Sequence, residues 1–224
     1  MIRAVIFDID GTLLDSVDLH ARAWQEVLAR HGHDVPFEDV RRQIGKGGDN
    51  LLPVFLSRRE LERLQEKIEK ERSELFKQKY LPLVRPFPKV RELFQRILAD
   101  GKRIALASSG KKDEVEVYEK IAGIDDLIGD DDVTSSGDAE HSKPDPDIFH
   151  AALGKLGKIP KDEVIAVGDT PYDAEAAGKA GLRTIGMLCG GFPEADLRAA
   201  GCIAIYRDPA DLLAHYETSP IARG

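Results

Sequence analysis

Residues 2–16, IRAVIFDIDGTLLDS, decide how the rest of the chain is read. Residues 2–7 are a short apolar, β-rich run that stops at acids. That is the pattern of a strand buried at the centre of a parallel sheet. Asp8, Asp10, Gly11 and Thr12 follow at once, at the strand's C-terminal edge, where open α/β sheets bind their ligands. Similar runs recur at 103–107 (RIALA), 164–167 (VIAV), 184–188 (TIGML) and 203–206 (IAIY), and 127–128 reads as the start of another short strand. Helical patterns separate them at 89–98, 113–121, 147–156, 174–180 and 195–199. Strands alternating with helices predict an α/β fold, a doubly wound parallel sheet.

One block breaks the alternation. Between residues 16 and 80 no strand pattern occurs. Leu19, Ala23, Val27 and Leu28 share one helical face that Gly32 ends. Ser57 and Glu60 have capping-box spacing, and Leu61, Leu64, Ile68 and Leu75 continue at helical intervals through a highly charged helix. The expected organisation is a core of residues 1–15 and 82–224 with an all-helical cap, 16–81, inserted after strand 1. Chain segments near 14–16 and 81–86 would form the hinge. Residues 36–80 hold 11 Lys+Arg against 9 Asp+Glu, in a chain of net charge −8. A mildly basic lid over an acidic core suits an anionic substrate, although a solvated helix face carries such charge as well.

The 224 residues allow one domain bearing an insertion, and 42% hydrophobic content is enough for a packed core. The acidic balance argues against nucleic-acid binding through phosphates. No stretch approaches the roughly 18–20 apolar residues of a membrane span, and the N-terminal residues read as neither a signal nor a transit peptide. The two cysteines, Cys189 and Cys202, lack CxxC spacing and read as buried thiols of a cytoplasmic protein. His31 and His33 read as a solvated loop rather than a metal site. Oligomeric state has no signature in the sequence.

Chemistry is expected at the strand ends. Asp8 is placed to act as metal ligand and nucleophile, and Asp10 to transfer protons. Gly11 would let the backbone approach an anion, and the Thr12 hydroxyl would bond a phosphate oxygen. A DxD after an apolar strand also holds a metal for nucleotide-sugars in glycosyltransferases. Ser108 and Ser109 end the strand at 103–107 and can bond an oxyanion, helped by the next helix's N–H groups, or serve as ordinary caps. Lys143 stands in SKPDPDIF, whose two prolines fix a rigid turn that would hold its position and where Asp145 or Asp147 could cap a helix; it can neutralise charge between carboxylates and phosphate. Asp169 can complete a Mg²⁺ site with Asp8, while Asp173 also fits an acidic helix N-terminus.

Four such sites, in this order and spacing, resemble the haloacid dehalogenase-like hydrolase superfamily over nearly the whole chain. DIDGTLLDS resembles its nucleophile motif, Ser108 its second motif, Lys143 its third and GDTPYD (residues 168–173) its acidic fourth. The resemblance implies a Rossmann-like core with a helical cap, and a phosphatase acting through an aspartyl phosphate on Asp8. Mg²⁺ would be held by Asp8, Asp169 and the Asp10 carbonyl. Asp10 would protonate the leaving alcohol and later deprotonate water, which requires its pKa to be raised by burial and nearby anions. Thr12, Ser108 and Lys143 would bind phosphoryl oxygens, and Asp173 would support Lys143 or a metal-bound water.

Asp10 argues against dehalogenation, since a leaving halide needs no proton. Residues 20–24 (HARAW), IALAS and SKPDPDIF are similar to β-phosphoglucomutases, but those have Glu-Asp where this chain has Gly168-Asp169. His20 reads as a hinge residue or as a helix-surface histidine. Gly45-Lys46-Gly47-Gly48 resembles the cap specificity loop, so Lys46 is expected to reach the substrate; a surface turn is the plain alternative. The expected function is a Mg²⁺-dependent phosphatase of a small phosphomonoester, phosphoglycolate or a sugar phosphate. The alternatives are a sugar phosphomutase and, further off, a non-catalytic phosphometabolite-binding regulator.

Overall fold

A computed structural model describes residues 1–224, the side chain of Asp130 excepted. The apolar runs become parallel strands, because the central ones are buried on both faces and must pair all their backbone groups within a sheet, while the last, at 202–206, forms a half-exposed edge. These are β1 (Ala4–Phe7), β4 (Arg103–Ala107), β5 (Val133–Thr134), β6 (Val164–Gly168), β7 (Arg183–Met187) and β8 (Cys202–Tyr206), in the order β5-β4-β1-β6-β7-β8. Every pairing is parallel, with Phe7 opposite Leu106 on one side and Val167 on the other. The chain runs from β1 to β4 on one side and later crosses to β6 on the other. The end of β1 is therefore a switch point of the sheet, where a crevice opens.

Helices cover both faces. One face packs α5 (Val90–Ala99) and α6 (Lys112–Ala122), with Phe94 against Phe7, ring centroids 4.9 Å apart. The other packs α7 (Asp147–Leu156) and α8 (Pro171–Ala180) through Phe149, Ala152, Ala176 and Ala177. Helices α9 (Glu194–Ala199), α10 (Pro209–Ala214) and α11 (Pro220–Arg223) complete the C-terminal region. The expected strand at 127–128 does not form. Leu127 and Ile128 both donate their N–H to the Ile124 carbonyl, closing a turn beyond the left-handed Gly123, and Ile128 packs into the core. The sixth strand is β5 instead, too short and polar to show an apolar run.

Between β1 and β4 the chain makes α1 (Val17–Arg30), α2 (Phe37–Arg41), α3 (Gly48–Leu51) and α4 (Arg58–Leu75). These share a core of their own, with Val17, Trp24, Val27, Leu28, Val40, Leu51 and Ile68. Ser57 and Glu60 close the capping box that starts α4. Where the chain leaves and re-enters the sheet region, β2 (Leu14–Asp15) pairs antiparallel with β3 (Arg85–Pro86). His31 and His33 are not a solvated loop: they meet Glu71 and Glu60 of α4 at 3.0 and 3.3 Å, tying the end of α1 to that helix. Among the described residues, no helix is long and apolar enough to cross a membrane.

Candidate active site

Asp8 is held in the sheet beyond β1 by its N–H, which donates to the Val167 carbonyl at 2.9 Å. The turn after it needs Gly11, whose φ of +84° suits glycine and whose Cβ, if present, would lie 2.3 Å from Asp169 Oδ2. Thr12, fully buried, points its hydroxyl between Asp8 Oδ2 (3.2 Å) and Asp169 Oδ1 (3.1 Å). Lys143, 1% exposed, reaches in from the loop before α7. Its ammonium donates to Asp8 Oδ1 at 2.5 Å and to the Ala107 carbonyl at 3.0 Å, and lies 2.8 Å from Asp173 Oδ1. Two hydrogen bonds and one ion pair thus hold the ammonium. Asp173 does two jobs: its other oxygen accepts from the N–H and hydroxyl of Thr170, closing the capping box of α8.

The electrostatics follow from burial. Desolvation raises the Asp8 pKa to about 7, with Asp173 and Asp10 pushing the same way against Lys143. Asp169 is raised well above its ordinary value by burial, then by Asp173 and Asp8. Burial alone would lower the Lys143 pKa, but Asp173 and Asp8 overturn it and keep the ammonium charged. Asp8, Asp169 and Asp173 each offer an oxygen within 4.8 Å of the others. Asp169 Oδ2 is buried without a hydrogen-bond partner, and a Cβ on Gly190 would fall 1.7 Å from it. Closely set buried carboxylates around one ammonium, one oxygen left unbonded, fit a hard divalent cation that takes oxygen ligands.

Asp10 departs from expectation. Its carboxylate turns away from that cluster, accepting from Ser16 Oγ at 2.5 Å and meeting His20 Nε2 at 2.8 Å. Burial would raise its pKa, but His20, Ser16 and Arg72 outweigh burial and hold it below the ordinary value. The expected upward shift is thus reversed, because the neighbours facing Asp10 are cationic or donors rather than anions. His20 is not on a helix surface: it is buried, stacked on Phe76 at 4.0 Å between centroids, with Tyr118 Oη 3.3 Å from Nε2 and Arg72 donating to Nδ1.

The other expected residues spread around the crevice. Ser108 is buried and accepts from the Gly110 N–H at 3.0 Å, so its hydroxyl shapes the turn after β4. Ser109 and Lys46 both line the cavity of about 90 Å³ above Asp8 and Asp10. In this arrangement the Lys46 ammonium donates to Gln43 Oε1 at 2.7 Å and sits 4.6 Å from the Tyr172 ring centroid, and burial lowers its pKa. Neither Asp145 nor Asp147 caps α7 through its side chain. Pro146 occupies the N-cap, and Asp147 accepts from the His141 N–H at 2.9 Å.

The profile of haloacid dehalogenase-like hydrolases matches residues 2–181. The chain belongs to this family. It is 30% identical to a phosphorylated carbohydrates phosphatase of Thermotoga maritima over 94% of this chain and 96% of that one. It is 32% identical to a phosphoglycolate phosphatase of Aquifex aeolicus, covering 84% and 85%. A chloroplastic Arabidopsis thaliana protein, Suppressor of Quenching 1, is 33% identical over 89% of this chain, but the chain spans only 19% of that protein's length. In three dimensions it resembles a hydrolase from Pseudomonas syringae, with TM-score 0.84, 31% identity and coverage of 96% and 98%. This haloacid dehalogenase-like hydrolase is an enzyme of the phosphatase type.

A second cavity of about 250 Å³ adjoins the first, and Trp24, Arg72, Ser109 and Glu114 line both. The basic excess of the helical block does not collect there: Asp49, Glu69, Glu114 and Glu140 face Arg72 and Lys111. Sequence reading missed Arg72 and Glu114. Arg72 was detectable, since it stands four residues after Ile68 and three before Leu75, a charge inside an apolar stripe. Glu114, 2% exposed and bonded to Ser73 Oγ at 2.8 Å, looked like an ordinary acid in a helix's first turn.

Proposed function

We propose that this hydrolase is a Mg²⁺-dependent phosphatase that cleaves a small phosphomonoester, of the phosphoglycolate or sugar-phosphate type, through an aspartyl phosphate on Asp8. The observation that carries the reading is Asp8 at the switch point, one oxygen bonded to a buried, charged Lys143 and the other to Thr12. Asp8 attacks phosphorus, and its paired ammonium keeps the carboxylate oriented and offsets charge on the phosphoryl oxygens. Ser108, Ser109 and the N–H groups of the following turn, with Thr12 and Gly11, line the phosphoryl position. Asp10 hands a proton to the leaving oxygen and then takes one from the attacking water. The water step suits its anionic state directly. The first step needs it protonated.

Asp8, Asp169 and the Asp10 carbonyl would hold Mg²⁺, which when bound supplies positive charge between carboxylate and phosphate. Asp173 supports Lys143. Residues 16–81 act as a cap over a core of 1–15 and 82–224, with Lys46 and the second cavity reading the leaving group. The names of the Thermotoga and Aquifex relatives support phosphorylated carbohydrates and phosphoglycolate as candidate classes. A small-molecule substrate, with neither nucleic acid nor membrane as partner, and a cytoplasmic location fit the acidic chain and its free thiols.

A sugar phosphomutase is the second reading, favoured by His20 on Asp10 and by Trp24 lining both cavities. A panel of phosphorylated metabolites with Mg²⁺ tests the proposal. Release of inorganic phosphate from one of them supports it. In single turnover, passage of the phosphoryl group to a sugar hydroxyl rather than to water would favour the mutase. Absence of turnover on every ester, an activated aryl phosphate included, would leave a phosphometabolite-binding regulator.

A further inference from the structure

Ser142, the residue before Lys143, spends its polar atoms on the helical block. Its N–H donates to Asp49 Oδ2 at 3.0 Å and its hydroxyl to Asp49 Oδ1 at 2.5 Å. The hydroxyl oxygen accepts from the Gly47 N–H at 2.9 Å. Asn50 Nδ2 donates to the Ser142 carbonyl at 2.9 Å and lies 3.4 Å from the Lys143 carbonyl. The approach is close enough that a Cβ on Gly47 would sit 2.6 Å from Ser142 Cβ. Apart from the block, the loop is held by the Asp145 N–H to the Ser142 carbonyl at 3.0 Å, the His141 N–H to Asp147, and Lys179 of α8, which donates to the Pro144 carbonyl at 2.7 Å; none of these fixes the N–H or hydroxyl of Ser142. Lys143 is therefore gripped at two ends, its ammonium by Asp8 and Asp173 in the core, its backbone by residues 47–50 at the start of α3.

We infer that Asp49 and Asn50 are positioning residues for Lys143. Seating the helical block on Ser142 sets the loop, and the loop sets the height at which the ammonium meets Asp8. This rests on the phosphatase reading for the role of Lys143, and adds that the block governs chemistry as well as leaving-group choice. A substrate too small to touch the block would still need it. Lifting the block exposes Ser142 to water, which satisfies its polar groups readily, while the backbone of Lys143 keeps only the hold on its C-terminal side, where Lys179 bonds the Pro144 carbonyl. Displacements of ~1 Å at a reacting centre cost about 10²-fold in rate.

Asn50 does not line the cavities, so its substitution separates positioning from substrate contact. With full-length protein, Mg²⁺ and a small aryl phosphate, Asn50→Ala and Asn50→Asp should each lower kcat about 10- to 100-fold with KM within about 3-fold. Asn50→Ala combined with Ser142→Ala should be little worse than either alone, since both remove one link. Hydrogen exchange gives a readout independent of turnover: the amides of His141, Ser142 and Lys143 should exchange faster in Asn50→Ala, those in the middle of α4 and α7 unchanged. Unchanged exchange at 141–143, or acceleration spread through α4 and α7, would overturn the inference. So would a loss confined to KM or to bulky phosphates. A wild-type protein inactive on every ester would sink the phosphatase reading instead, and the exchange comparison would still decide whether the block restrains this loop.

Discussion

His20 Nε2 lies 2.8 Å from Asp10 Oδ1, joining two sides of the cleft: Asp10 stands at the edge of the sheet and His20 on the first helix of the inserted block. Arg72 faces the other ring nitrogen. A guanidinium only donates, so Nδ1 accepts and Nε2 carries the proton shared with Asp10. The charge state of the second acid is thereby set from across the cleft.

That pairing predicts a pH shift. His20 helps hold the Asp10 pKa down, so His20→Ala should raise it. The step that needs anionic Asp10, hydrolysis of the phosphoenzyme, would then require higher pH. Its acid limb, followed by single-turnover dephosphorylation, should move up by roughly 1 unit. An unmoved limb would show that Ser16 and Arg72 suffice.

Asp8→Asn keeps the shape of the nucleophile and removes its charge. Turnover of an aryl phosphate should fall at least ~10³-fold, as expected for a lost covalent catalyst. Near-normal turnover by the purified variant would refute the aspartyl-phosphate mechanism.

Asp10→Asn should slow phosphorylation most with poor leaving groups, since an activated aryl phosphate needs little protonation. Dephosphorylation stays slow for both, so the aryl substrate should show a burst. Equal losses in the phosphorylation step would point to a structural role.

Lys143→Met leaves buried carboxylates without their ammonium. Breaking a buried ion pair from one side costs about 3–5 kcal/mol, on the order of 10 °C in Tm for a chain of this size. Calorimetry at neutral pH checks this, and the loss should shrink in acid as the carboxylates protonate. If Asp8, Asp169 and the Asp10 carbonyl hold Mg²⁺, millimolar Mg²⁺ should raise the wild-type Tm, chelator should reverse it, and Asp169→Asn should abolish the response. A Tm indifferent to Mg²⁺ would count against the metal site.

Lys46→Ala should raise KM or lower kcat/KM for the true substrate and leave a small aryl phosphate nearly untouched. Loss on both would give Lys46 a part in chemistry or folding. Loss on neither would confine it to its contacts with Gln43 and Tyr172.

Sequence alone determined the alternation of buried strands and helices, the strand-free block after β1, the Ser57–Glu60 box, the acids at the strand ends and the lysine beside the two prolines. Those are local properties: a period of 2 or 3.6 residues, a cap three residues from its partner, a charge ending an apolar run. Short polar β5 escaped because pairing with β4, not its own composition, makes it a strand. Only the tertiary structure decided which way Asp10 leans, that His20 and Arg72 are interior, that Glu114 meets Ser73, and that Ser142 is held by Asp49 and Asn50. These partners lie far apart in the chain and meet because the helical block seats on the sheet edge. No periodicity within either segment encodes that contact, and it is what sets the charges and distances around Asp8.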